Sequence, residues 1–300
     1  MQPPHSHSGP DLETLLRSRP SPRLRLQGLL YLLTCMTTFA AGAAGWQPLL
    51  LGLDEIGPDL AAHWPRGLAY AAAVMAVLTA HEAGHFIAAW IHRIPATLPF
   101  FIPVPVLLTG TLGAVIGMEG ARANRRQLFD IAVAGPLAGL AVAVPLLALG
   151  FVTGGGPDAD TPFAMPPLAR WVQSLVRPDL PADAVVAPNA LFMAGWVGLL
   201  VTGLNMMPMS QLDGGHICRA VFGQAGNWVA RGVLLASMAA VIVTGQFNWV
   251  VMLVLVTLMG VDHPPIADDG RPLGTLRTAL GLAVLVIPVL TFMPEPMRLE

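Results

Sequence analysis

The chain of 300 residues contains no lysine, and its 16 basic residues are all arginine. No mechanism that needs a lysine base or a lysine Schiff base is open to it. Cysteine is nearly absent as well, with only Cys35 and Cys218. Two such residues cannot build a disulfide framework or a cysteine-rich zinc module. Both read as small buried hydrophobes, although Cys218 follows Asp213 closely enough for a supporting role there. Charge is scarce, at 11% of residues against about 25% in soluble domains. With a net charge of −2 and no basic cluster, the sequence offers nothing to a polyanion. Neither a nucleic-acid nor a nucleotide partner is expected. A fixed-period repeat is also missing, as is the inverted pair of interrupted spans that marks many transporters.

Apolar residues take up the balance, at 54% of the chain. Continuous apolar runs fall at residues 26–44, 67–91, 128–151, 190–208, 228–245, 248–261 and 275–293. At 1.5 Å of rise per residue most of these can cross a hydrocarbon layer of about 30 Å, while the 248–261 run is short for a full crossing. The expected fold is an all-α polytopic membrane protein with about six or seven transmembrane helices. Residues 1–25, rich in Pro, Ser and Arg, read as a disordered cytosolic tail with a short possible helix around Leu12 to Leu16 and without the pattern of a signal peptide. The loop at 152–189, glycine- and proline-rich, is too short for an inserted globular module.

Arginine placement gives orientation, because cytosolic loops accumulate basic residues. With a cytosolic N-terminus, Arg17, Arg19, Arg23, Arg25, Arg93, Arg122, Arg125, Arg126, Arg219, Arg271 and Arg277 share the cytosolic side. Arg66, Arg170, Arg177 and Arg298 fall opposite, and Arg231 is ambiguous.

Inside the second apolar run the sequence reads His81-Glu82-Ala83-Gly84-His85. At helical spacing the two imidazoles project from one face and can hold one zinc ion, with Glu82 beside them as a base and not a ligand. From the composition, chance would place such a motif in this chain roughly 0.004 times, which sets coincidence aside. Two histidines and a carboxylate in hydrocarbon are also costly without a metal or a partner. Eight residues separate His85 from Arg93, so the pair lies within the membrane nearer the cytosol, and water must reach it through a protein-lined cavity.

A catalytic zinc takes three protein ligands, so a third donor must come from another span at similar depth. The strongest candidate is Asp213, in the Pro208 to Gly215 stretch that closes the fourth apolar run. Its bland alternative is the N-cap of the next helix. His216 is a rival ligand by chemistry, with capping or support of the site as its other roles. Between the second and third runs, Ile94 to Met118 is apolar but broken by Pro95, Pro99, Pro103 and Pro105, then by Gly110, Gly113 and Gly117. This segment is expected to be a membrane-embedded β-hairpin or a re-entrant piece, with a packed Pro-rich connector as the alternative.

At these positions the chain resembles the site-2 protease family of intramembrane zinc metalloproteases. The matching residues are His81 to His85, Gly135-Pro136-Leu137-Ala138-Gly139, and Asn205 and Pro208 followed by Leu212-Asp213-Gly214-Gly215. Residues 98–103, the Asn124-Arg125-Arg126 to Asp130 segment and His263-Pro264-Pro265 look like the cyanobacterial and plastid branch of that family. The resemblance implies one zinc ion held by His81, His85 and Asp213, Glu82 as catalytic base, and Asn205 beside the scissile peptide. It further implies a transmembrane protein as substrate and the lipid bilayer as surroundings. Leu204 stands where many members carry Phe, and Gly139 where some carry Asn. The organisation expected is a tail at 1–25, a first span and outer loop at 26–60, a catalytic core at 61–219 and C-terminal helices at 220–300. The Arg- and Ala-rich composition points to a bacterial plasma membrane. Two other readings stay open, a metal-ion transporter and an inactive family member acting as a scaffold.

Overall fold

The computed structural model describes residues 22–46, 61–118, 122–156, 163–181, 184, 186–209, 211–268 and 270–293. Residues 1–21, including Leu12 to Leu16, lie outside the described residues, as do residues 47–60. In chain order the elements are α1 (Pro22–Ala43), α2 (Trp64–Ile91), β1 (Phe100–Pro103), β2 (Thr111–Val115), α3 (Arg125–Thr153), α4 (Pro167–Val176), α5 (Ala190–Asn205), α6 (Asp213–Phe222), α7 (Gly226–Thr244), α8 (Val250–Met259), α9 (Thr275–Val284) and α10 (Ile287–Thr291).

Helix starts are written into the sequence. Asn124 caps α3 by accepting from the N–H groups of Arg126 and Gln127, while the Gln127 side chain accepts from the Asn124 N–H. This reciprocal box satisfies donors that would otherwise be left unpaired at the helix start, a contribution of about 1 kcal/mol. At α5 the Asn189 side chain accepts from the Leu191 and Phe192 N–H groups, a cap without the reciprocal bond. Pro136 and Pro145 sit inside α3 without ending it, as neighbouring helices permit within a membrane bundle.

The core is a bundle in which α2 packs along α3, α5 and α1, and α3 along α5. Its largest fully buried side chains include Trp196, Tyr70, Phe151, Phe192 and Leu147. Large apolar side chains such as Leu235, Ile242, Val243, Leu258 and Leu276 are exposed, as expected where lipid takes the place of water. Among the described residues, four helical stretches are long and apolar enough to cross a membrane: Arg23–Ala43, Trp64–Ile91, Arg125–Thr153 and Asp213–Thr244. Two shorter apolar helices lie at Ala190–Asn205 and Thr275–Thr291. The apolar run at 248–261 forms only the ten-residue α8. Hydropathy registers how apolar a run is and not where its helix stops, so the number of long helices falls below the number of runs.

Two short strands follow α2. β1 and β2 pair antiparallel, with Phe100 opposite Val115 and Phe101 opposite Ala114, and a register shift between Phe101 and Pro103. Pairing extends outward through the Ala96 to Met118 bridge and the bond from the Thr97 N–H to the Gly117 carbonyl. The β1 side rests on α1, where the Gln27 amide donates to the Leu98 carbonyl at 2.7 Å and Tyr31 meets Phe101 edge to face. At the turn, Gly110 has φ 74° and lies against the backbone of Thr37 and Thr38, so both its conformation and its space demand glycine. The 152–189 stretch also differs from a plain loop, because α4 forms between its prolines. Ala169, Val172 and Gln173 of α4 are buried, and Trp171 and Leu175 face outward.

Candidate metal centre

One buried face of α2 carries His81 and His85 a helical turn apart, and both rings turn toward α3 and α6. His81, Glu82 and His85 are only 3%, 4% and 5% exposed. His81 Nε2 and His85 Nε2 lie 3.1 Å apart, and each lies 3.2 Å from Asp213 Oδ2. His85 Nδ1 donates to the Ile131 carbonyl of α3 at 2.8 Å, which fixes the tautomer and leaves Nε2 as a bare lone pair. One proton on His81 Nε2 could satisfy one of the three contacts and not all of them. A cation between the three atoms satisfies them together. Ligand bonds of about 2.0–2.1 Å in a tetrahedron put adjacent donors about 3.3 Å apart, close to the spacing observed. Two imidazoles and a carboxylate also suit a zinc-class ion better than magnesium or calcium, which prefer oxygen ligands. Among the described residues these three form a group able to hold a metal ion.

The approach of α3 that completes this arrangement depends on missing side chains. A Cβ on Gly135 would overlap the His85 ring at Nε2, and one on Gly139 would press on His81. Gly135→Ala is therefore expected to push His85 out of line. Metal affinity should fall at least about 10–100-fold, the range for changes that misorient a ligand, with helical content unchanged. Metal titration of the variant followed by circular dichroism checks this.

Asp213 comes from the far side of the bundle. It is the first residue of α6, whose N-cap is Leu212, so the carboxylate is not spent on capping. Gly214 permits the geometry, since a side chain there would run into the Met206 carbonyl just past the end of α5. Asn205 is the last residue of α5, and its amide nitrogen lies 3.4 Å from His81 Nε2. Glu82 is close by without joining the ligand group.

All of these residues border a cavity of about 610 Å³. One part of its wall is the 114–118 segment at the outer edge of β2, and another is Gln211, His216, Met259, His263 and Pro264. His216, the rival candidate, does not come within the group that His81, His85 and Asp213 form. Cys218 is buried and directs its thiol to the Gly226 carbonyl at 3.8 Å, so it has no part in the cavity. His263 was legible only as part of a resemblance, because its contact with His216 spans 47 residues. The segment carrying it is tied down where Arg231 pairs with Asp262 at 2.9 Å, a bond that holds the Asp262 carboxyl below the usual carboxylate range.

A family model described as peptidase family M50 matches residues 69–245. The probable zinc metalloprotease EGY1, chloroplastic, of Arabidopsis thaliana is 31% identical over 252 residues, covering 79% of this chain and 45% of that protein. Its counterpart in Oryza sativa subsp. japonica is 29% identical over 230 residues, covering 74% and 39%. The probable zinc metalloprotease EGY2, chloroplastic, of Arabidopsis thaliana is 29% identical over 276 residues, covering 86% and 49%. The matched regions thus span less than half the length of these relatives. No solved structure matches the chain.

Proposed function

The chain belongs to peptidase family M50, and on that premise we propose that it is an intramembrane zinc metalloprotease. Its substrates are membrane-anchored proteins, cut at a peptide bond in or near a transmembrane helix. The observation that carries this reading is the meeting of His81, His85 and Asp213 at one buried point, with Glu82 on the same cavity wall.

In this reading His81 Nε2, His85 Nε2 and Asp213 Oδ2 hold the ion. Zinc bound there supplies Lewis acidity, lowering the pKa of a water and polarising a carbonyl. Glu82 takes the proton from the attacking water and delivers it to the nitrogen of the leaving amine. Asn205 offers its amide N–H groups to the oxygen on which negative charge develops, an interaction of about 2.7–4 kcal/mol in comparable sites. Helices α3 and α6 pack around the centre, where His81, Glu82 and His85 are nearly buried, which strengthens each of these interactions.

A helical substrate hides its scissile carbonyl in intrahelical hydrogen bonds and must unwind before it can be cut. The outer edge of β2 offers replacement bonds. The β1 side is occupied by α1, whereas residues 114–118 face the cavity. An unwound stretch laid along that edge would extend the sheet by one strand. Ile116→Pro removes an edge N–H, so it should lower turnover several-fold at unchanged zinc content; equal turnover would remove the strand-addition idea.

The reading includes a multi-pass protein of six or seven spans in a bacterial plasma membrane, with its N-terminus in the cytosol. Contacts among the arginines support a shared side. Arg277 pairs with Asp130, Arg126 donates to the Pro272 carbonyl, and Arg125 reaches the carbonyls of Ala220 and Val221. Membrane proteomes of cells carrying wild type or Glu82→Gln test the function as a whole. Transmembrane fragments found only with wild type are the expected result, and identical fragment sets would contradict it.

A further inference from the structure

The cavity holds a second imidazole pair that the chemistry above leaves unused. His216 follows Asp213 by one turn of α6, and His263 arrives from the segment after α8. His216 Nδ1 lies 2.6 Å from His263 Nε2, and His263 Nδ1 lies 2.6 Å from the carbonyl oxygen of Pro264. A carbonyl only accepts, so His263 Nδ1 carries a hydrogen. In the neutral ring His263 Nε2 is then bare, and the hydrogen shared between the rings belongs to His216 Nδ1. It follows that His216 Nε2 is also a bare lone pair. Among the described residues no hydrogen bond engages that atom, and His216 is part-exposed on the cavity wall.

Both rings are held in place. They meet edge to face with centroids 4.8 Å apart and planes at 76°. His263 is 8% exposed, and its backbone N–H donates to Asn227 Oδ1 at 3.3 Å. The neighbouring Asp262 is anchored to Arg231. The lone pair of His216 is thus a fixed feature of the cavity and lies outside the ligand group.

We propose that His216 Nε2 accepts a hydrogen bond from a backbone N–H of the bound substrate, and that His263 is the positioning residue that sets its tautomer. The proposal rests on the protease reading. A peptide laid along the 114–118 edge gives alternate N–H groups to that edge and points the others away. Where the bound peptide displaces water from the cavity, each outward N–H needs an acceptor or costs free energy. Asp213 and Glu82 are committed to the metal and the proton, and Gln211, whose amide nitrogen donates to the Met259 carbonyl, is an exposed side chain. His216 supplies a neutral acceptor with no other duty.

Two replacements separate the roles. In His216→Asn the amide nitrogen occupies the place of Nδ1 and keeps the bond to His263, but nothing stands where Nε2 was. In His216→Gln the side-chain oxygen reaches the place of Nε2. With a zinc-loaded protein and a transmembrane peptide substrate, H216N should lose about tenfold or more in kcat/KM. H216Q should recover most of that loss, both should keep wild-type zinc content, and H216N, which retains the bond to His263, should keep the wild-type melting temperature. The 15N spectrum of histidine-labelled wild type should show His216 Nε2 without a proton. The proposal falls if H216N cleaves normally, if H216Q does no better than H216N, if H216N loses its zinc, or if Nε2 proves protonated. Failure of zinc-loaded wild type to cleave any peptide would remove the protease reading and this proposal with it, whereas active wild type with an indifferent H216N removes this proposal alone.

Discussion

Glu82→Gln is expected to retain one zinc ion per chain and to lose peptide cleavage by a factor of about 10²–10⁴, the usual contribution of a positioned general base. Glutamine matches glutamate in shape, and Glu82 lies outside the ligand group, so the metal centre should be undisturbed. What disappears is the ability to take a proton from water and pass it to the leaving nitrogen. The variant also separates enzyme from transporter. A metal pathway needs the ligands and has no use for a base beside them, so flux of metal ions undiminished in Glu82→Gln, with no cleavage by wild type, would favour transport. Zinc content by elemental analysis and cleavage of a transmembrane peptide in detergent are the two measurements.

Asp213→Ala should have the opposite signature, losing zinc and activity together. One of three donors goes, and the remaining imidazoles come from a single helix, so affinity should fall by more than the roughly 10–100-fold that disturbed outer contacts cost. The fold should survive. Leu212 and not Asp213 is the N-cap of α6, so the helix gives up only the attraction of a carboxylate to its N-terminus, about 0.3–1 kcal/mol. Asp179→Ala serves as control, because Asp179 is exposed, pairs with Arg177 at 2.9 Å and stands away from the cavity. Normal zinc binding by Asp213→Ala would mean that the third ligand has been misidentified.

The part of the site legible in the sequence is the part governed by local geometry. The i, i+4 spacing of His81 and His85 needs only a helix, and the apolar surroundings of α2 supply it. Asp213 could be picked out because two glycines and a proline at the end of a span leave a carboxylate little reason to be there except function. Contacts between distant segments were not legible. No pattern in the chain brings His263 to His216, or sets Gly139 against His81, since these follow from how whole helices pack. The strand pairing of residues 100–115 was open between a hairpin and a connector, because prolines at that density break helices without saying what replaces them. The same limit applied to α4, which lies between Pro166 and Pro178 and whose apolar positions are too few to stand out from a loop. It applied also to the last apolar run, which is one stretch by hydropathy and divides into α9 and α10 near Leu285 and Val286.

One zinc ion held by two imidazoles of α2 and one carboxylate of α6 underlies the proposed chemistry. X-ray absorption at the zinc edge, on full-length protein purified without chelators, tests it most directly. The expected result is one zinc per chain with two nitrogen neighbours from histidine, low-atomic-number ligands at about 2.0–2.2 Å and no sulfur shell. Protein that contains no zinc, or zinc bound by sulfur, would rule this metal centre out.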